Sequence, residues 1–327
     1  MSHRLAISTV SMGWHQTHTL ESKIEAAKAA EFEGIELFIT DFDAFRDRLG
    51  KPSLAAAKEI RALCAKAGLE ILCFGSFDNF EGDPTTPLES RLEKASEWLD
   101  LVHELGTSVI QIPSNDDRRA MCDERLIVDE LRALADLGLQ RQPPVSFAYE
   151  ALGWGTCVAD WEESLNVVQK VDRPNFGLCL DTYHVLARLW ADPTDSSGLR
   201  PGGTAALRDS IQRFLDVCPR DKIVYVQLSD AERMSPPIWP GHPAYDEDKY
   251  GVHSWCTYGR LFPREDEQGA YLPMEDITHA WLVRKGWKGW VSLEVFHRDM
   301  KMEERDPEYW ARRGKASWES LKTSLGI

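Results

Sequence analysis

The chain is short of positive charge: 38 lysines and arginines stand against 53 aspartates and glutamates, a formal net charge of −15 over 327 residues. A nucleic-acid groove or an anionic membrane surface needs basic patches, so neither partner is expected. No apolar run approaches the ~20 residues that span a bilayer. Cysteine is sparse and unpatterned. The seven cysteines include no C-x-x-C pair, and Cys73 and Cys179 lie inside apolar runs, as buried thiols of a reducing compartment do. Reduced thiols and a cytoplasmic location are therefore expected. No strand-like run opens into Gly-x-Gly-x-x-Gly, which argues against a dinucleotide site. Low-complexity tracts are missing too, and Met1-Ser-His-Arg4 leads into an apolar run without a leader-like segment.

What remains is an ordinary globular composition, 43% hydrophobic and 28% charged, enough to bury a large core. Short apolar runs alternate with helical periodicity along the whole chain. The runs are Leu5–Ser8, Gly34–Phe38, Glu70–Phe74, Val109–Ile112, Val145–Glu150, Phe176–Leu180, Ile223–Leu228 and Trp290–Val295. The spacing predicts helices from Thr19, over Leu54–Ala67 and over Glu89–Leu105, the last two closed by Gly68 and Gly106. Eight runs separated by helices, with no hairpin signal between them, predict parallel pairing in a closed (β/α)₈ barrel spanning 1–327 as one domain. One long irregular segment follows the seventh run, from Ala231 to about Pro273, and a loop of that length in a compact domain is usually functional.

The most informative stretch is Asn175-Phe-Gly-Leu-Cys-Leu-Asp-Thr-Tyr-His184. A buried charge at the end of an apolar strand is expensive unless paired or bound to metal. Strand ends of a barrel converge on one face. The last polar residues of the later strands are Glu150, Asp181, Gln227 and Glu294, a hard, oxygen-rich set that suits Mg²⁺, Mn²⁺ or Co²⁺ better than Zn²⁺. Glu150 and Glu294 double as candidate proton-transfer groups, and Glu36, at the end of the second strand, would orient ligands from behind. His184 follows Asp181 as a helix begins, within reach of a substrate proton. Arg233 and Arg260 in the long loop are candidates for an anionic small-molecule substrate. His18 (with His15 beside it) and Asn79 and Phe80 (with Phe77) are placed at the mouth. The 12 tryptophans, several in the C-terminal third, would cover a core or a homodimer face.

In this order the residues resemble the xylose isomerase-like TIM barrels, which include sugar isomerases and epimerases, inosose dehydratases and metal-dependent endonucleases. Within that superfamily the chain is most similar to the 3-dehydroshikimate dehydratases of quinate catabolism. The likeness is carried by Arg4–Ser8, Gly34–Phe38, Asn79-Phe-Glu-Gly82, Val226–Asp230 with Glu232-Arg233, Pro240-Gly-His242, Arg260–Phe262, Gly269–Pro273 and Gly289–Ser292. Gln227 stands where sugar epimerases usually carry histidine, and His297 departs from an expected asparagine. The resemblance implies metal-dependent dehydration of 3-dehydroshikimate to protocatechuate. The alternative on the same ligands is a sugar or keto-polyol isomerase or epimerase.

Overall fold

A computed structural model describes residues 3–327. Eight parallel strands close on themselves: β1 (Arg4–Ser8), β2 (Gly34–Phe38), β3 (Glu70–Gly75), β4 (Val109–Pro113), β5 (Ser146–Glu150), β6 (Phe176–Asp181), β7 (Ile223–Leu228) and β8 (Trp290–Leu293), with β1 bonded to both β2 and β8. The expected (β/α)₈ barrel is the observed fold. Helices α1 (Leu20–Ala29), α2 (Ile39–Leu49), α3 (Ser53–Ala67), α4 (Leu88–Leu105), α5 (Glu124–Leu139), α6 (Trp161–Val171), α7 (Thr182–Leu189) and α8 (Gly203–Val217) intervene between the strands. A last helix, Pro307–Leu325, packs against α1. Among the described residues no helix is long and apolar enough to cross a membrane.

Period-two alternation explains both the core and the site. Ala6, Cys73, Ala148, Cys179 and Tyr225 point into the barrel and are buried there. Residues two further along a strand share its face. Glu150 follows Ala148, Asp181 follows Cys179, and Gln227 follows Tyr225. Each of these three strands thus sets a small or weakly polar residue in the interior and a side chain bearing a polar oxygen one layer above it. The alternate residues, such as Phe147, Tyr149, Leu178, Leu180 and Val226, face outward into the main core beneath the helices.

Two elements differ from the sequence expectation. Helix α2 starts directly after β2 but buries only Phe42 and Phe45, too few positions to register as a helical period. The long segment after β7 is not irregular throughout. It holds a ninth helix, α9 (Gly251–Gly259), whose terminal glycines and mid-helix Val252, Thr257 and Tyr258 have low helix propensity, so only the burial of Trp255 and Cys256 reveals it. The residues that follow turn back: Ala231 pairs antiparallel with Arg260, and Asp230 with Leu261. That short ladder draws Arg260 to the end of β7.

The cysteine expectation needs correcting. Cys64, Cys73, Cys179, Cys218 and Cys256 are buried free thiols, but Cys122 and Cys157 form a disulfide. They lie 35 residues apart, on the loops after β4 and β5. Only the parallel pairing of those two strands makes the loops neighbours.

Buried carboxyls tie the loops of the barrel mouth together. Arg91 pairs with Glu130, which also accepts the Gly82 N–H. Glu81 accepts the Asn115 N–H at 2.8 Å and the Tyr149 hydroxyl at 2.8 Å, while its Oε2 is buried without a partner. Burial pushes the Glu81 carboxyl up to about 7, the hydrogen bonds opposing the shift. Between the ordinary carboxyl value and about 7 the folded protein therefore holds a proton that the unfolded chain releases, and stability falls as pH rises through that window. Glu81→Gln keeps an acceptor for both donors but cannot titrate. The stability difference between wild type and this variant is expected to change by about 2–3 kcal/mol between pH 5 and pH 8, with wild type losing ground at the higher pH. Urea midpoints at the two pH values measure it, and a constant difference would contradict the assignment.

Candidate active site

The C-terminal ends of the strands open on a cavity of about 270 Å³, at the small end for ligand sites. Phe38, Trp154 and Phe296 contribute aromatic wall, and Asn79, Glu150, His184, Arg260 and Glu294 contribute polar groups. Trp154 stands edge-on to His184 with centroids 5.0 Å apart and stacks on His253 at 4.4 Å, so it forms one side of the entrance.

Glu150, Asp181 and His184 each offer one ligand atom, all within 4.8 Å of one another and all buried. Asp181 ends β6 and also caps α7, its Oδ1 accepting the Tyr183 N–H at 2.6 Å. A carboxylate on a helix N-terminus is favoured by the exposed amides there. Glu36, Glu150, Asp181 and Glu294 are all at least 94% buried, and Arg260 is the cation among them. Its guanidinium lies 2.6 Å from Asp181 Oδ2 and 3.3 Å from Glu294 Oε2. The remaining N–H groups go to Ser229 Oγ and the Cys256 sulfur. Burial raises the proton affinity of all four carboxyls. For Glu150 the proximity of Glu294 and Asp181 raises it further, and for Asp181 the Arg260 charge partly offsets it.

These residues fit a divalent cation. One guanidinium against four carboxyls leaves as many as three to be neutralised by a proton or a cation, and Glu150 Oε1 is buried without a hydrogen-bond partner. Buried charge of one sign in this excess calls for a second cation. Gln227 is fully buried below the cavity, its Nε2 donating to Glu36 Oε1 at 2.9 Å while the Cys179 thiol lies 3.1 Å from its Oε1. Glu36 also accepts from Tyr225 at 2.6 Å. Both ends of the amide are thus engaged: its N–H goes to Glu36, and its oxygen accepts from the Cys179 thiol and keeps a second lone pair.

His184 is more constrained than its position in sequence suggests. The Gly153 N–H donates to His184 Nδ1 at 3.1 Å, an approach close enough that a Cβ on Gly153 would meet the His184 backbone oxygen at 3.3 Å. Burial and the nearby Arg260 charge lower the imidazole pKa well below its ordinary value, so the ring is neutral. With Nδ1 accepting, the proton sits on Nε2, 3.4 Å from Glu150 Oε1 and 3.8 Å from Asp181 Oδ2. A histidine that ligates through one nitrogen normally donates from the other. Here the other nitrogen faces a donor, so His184 presents an N–H to the cavity.

Several sequence candidates lie elsewhere. Arg233 is exposed and bonded to the Ser196 carbonyl at 3.0 Å, away from the cavity. His18 accepts the His15 N–H on Nδ1, pairs its Nε2 with the Glu303 carbonyl, and lines a neighbouring cavity instead. Phe80 is packed behind the wall against Phe77 and Arg91. His297 sits outside the cavity, where its Nδ1 accepts the Asp299 N–H. Gln111 was missed: its Nε2 donates to Glu150 Oε2. It was recognisable as a lone polar residue inside Val109–Pro113, with the period that points it inward. Nothing local marks Gly153, Trp154 or Ser229.

The fold and this acidic mouth define a (β/α)₈ barrel whose buried Glu150, Asp181 and His184 could hold a metal ion. The family model for xylose isomerase-like TIM barrels matches residues 24–321, and the chain belongs to that family. It is 42% identical to a 3-dehydroshikimate dehydratase of Neurospora crassa over 343 aligned positions, covering 100% of this chain and 96% of that one. It is 33% identical to a 3-dehydroshikimate dehydratase of Pseudomonas aeruginosa over 89% of this chain, but spans only 38% of that longer protein. Among solved structures, a xylose isomerase-like TIM barrel/4-hydroxyphenylpyruvate dioxygenase fusion protein superposes with a TM-score of 0.76 at 28% identity. That match covers 99% of this chain and 43% of the fusion.

Proposed function

We propose that this chain is a 3-dehydroshikimate dehydratase. The observation that carries the reading is the 42% identity with the Neurospora crassa dehydratase from end to end. The site is chemically suited to it. The substrate is a β-hydroxy ketone: the C–H beside the carbonyl breaks, its electron pair moves toward the carbonyl oxygen, and the β C–O bond then breaks to release water. Tautomerisation to the aromatic ring makes the later steps downhill, so the enzyme needs to stabilise the early negative charge.

Glu150, Asp181, Gln227 and Glu294 would hold the cation, with Mg²⁺, Mn²⁺ or Co²⁺ matching their oxygen donors. When bound it supplies Lewis-acid stabilisation of charge on the carbonyl oxygen. The His184 Nε2–H donates to developing oxygen charge, because a neutral imidazole fixed in this tautomer polarises an oxygen without giving up its proton. The proton removed beside the ketone goes to a carboxylate of the Glu150 and Glu294 pair and from there to the departing hydroxyl, which leaves as water. Arg260, with every N–H engaged, sets the charge of the site. Asn79 Oδ1 accepts the Asp116 N–H at 3.1 Å, which leaves its amide N–H₂ for the substrate's carboxylate or hydroxyls.

Mixing the protein with 3-dehydroshikimate and Mn²⁺ is expected to generate the ultraviolet absorbance of an aromatic diol acid, and a chelator to stop it. A flat trace accompanied by ketose interconversion would favour the isomerase alternative.

A further inference from the structure

The loops after β4 and β5 form one side of the entrance, and they are zipped together from the strands outward. Ser114 Oγ accepts the Leu152 N–H at 3.0 Å, the Asn115 carbonyl accepts the Thr156 N–H at 2.9 Å, and Asp116 Oδ2 accepts the Trp154 indole N–H at 3.0 Å. At the outer end, beyond these contacts, stands the Cys122–Cys157 disulfide. Cys122 is exposed and Cys157 half-buried, so a small reductant reaches the pair, unlike the five buried thiols. The stretch so held, Gly153 to Cys157, carries the two groups that orient His184: the Gly153 N–H on Nδ1 and the Trp154 ring on its edge.

We infer that Cys122 and Cys157 are positioning residues for His184, and that their disulfide is a reducible latch on turnover. The chain of contact is short. Cys157 lies three residues from Trp154 and four from Gly153. Release of the outer end leaves three hydrogen bonds to a glycine-containing loop as its ties to the neighbouring loop. The Nε2–H tautomer of His184 depends on one of this loop's amides. Reduction by a dithiol breaks the single S–S bond, delivers two electrons and two protons to the sulfurs, and leaves the reductant as its own disulfide. Reoxidation reverses the step.

The inference rests on the dehydratase reading for its kinetic arm alone, and the experiment separates the two. Thiol titration of protein denatured without reductant is expected to count five thiols, matching the free cysteines; a count of seven overturns the latch. Hydrogen exchange of the intact protein is expected to speed up about tenfold or more across 152–158 on reduction, with the barrel strands unchanged. Reduction and Cys122→Ser/Cys157→Ser should each lower kcat by about tenfold with KM within about twofold, the size typical of losing a group that orients a site residue. The double variant should ignore dithiol, and reoxidised wild type should recover. Unchanged exchange, or faster exchange with unchanged kcat, overturns the positioning role. If oxidised protein dehydrates nothing, the dehydratase reading fails while the exchange measurement still decides the latch.

Discussion

Glu150→Gln is expected to make the metal-free protein more stable while nearly abolishing its activity. The wild-type side chain is one of four buried carboxyls facing a single guanidinium, and one of its oxygens has no hydrogen-bond partner. The glutamine oxygen accepts from Gln111 as the carboxylate did, and its N–H₂ replaces the unpaired oxygen beside Asp181, whose ligand atom lies within 4.8 Å. A contact between two acids becomes a donation to Asp181, set against the His184 Nε2–H, a second donor 3.4 Å from the same position. In the presence of a chelator the variant should gain about 1–2 kcal/mol, a rise of roughly 2–4 °C in Tm. In the proposed mechanism the same change removes a charged cation ligand and a proton acceptor, so kcat/KM should fall by about 10³-fold or more. Opposite signs are the signature. A variant that loses stability together with activity would mean that the carboxylate is structural and the cation site misplaced.

Arg260→Met is expected to act the other way. Arg260 is almost fully buried and contacts two of the four carboxyls. Deleting one partner of a buried ion pair typically destabilises by about 3–5 kcal/mol, because the remaining charge is left uncompensated. Here the cluster has a second means of neutralisation. A cation that binds only the folded state stabilises it by mass action. Millimolar Mn²⁺ should therefore raise the Tm of Arg260→Met by more than it raises that of wild type, recovering part of the loss. Equal shifts in the two proteins would show that Arg260 acts through packing on Tyr183 and Phe296, not through charge.

Both predictions depend on residues that the sequence brings to notice but does not explain. Asp181 and Glu150 stand out because each ends an apolar strand, and the strand's own alternation says that they point inward. Gln227 is legible the same way, as is Glu36 in an orienting role. Arg260 and Arg233 look alike in sequence, two arginines of one long loop. The antiparallel pairing of Ala231 with Arg260 turns one into the barrel, and the other is left outside on the Ser196 carbonyl. His184 reads as a proton-transfer group from its place after Asp181. The Gly153 amide, 31 positions away, makes it a donor.

By itself the sequence determined the barrel and the layer of acids at its mouth. Both follow from interactions within a strand or between a strand and the next turn, where period two sets which side chains share a face. Tertiary structure alone decided the counter-ion, the imidazole tautomer and the disulfide. Each of these is a contact between segments that are distant along the chain. Their meeting depends on which strands are neighbours and how the loop after β7 folds back, and no local periodicity encodes that.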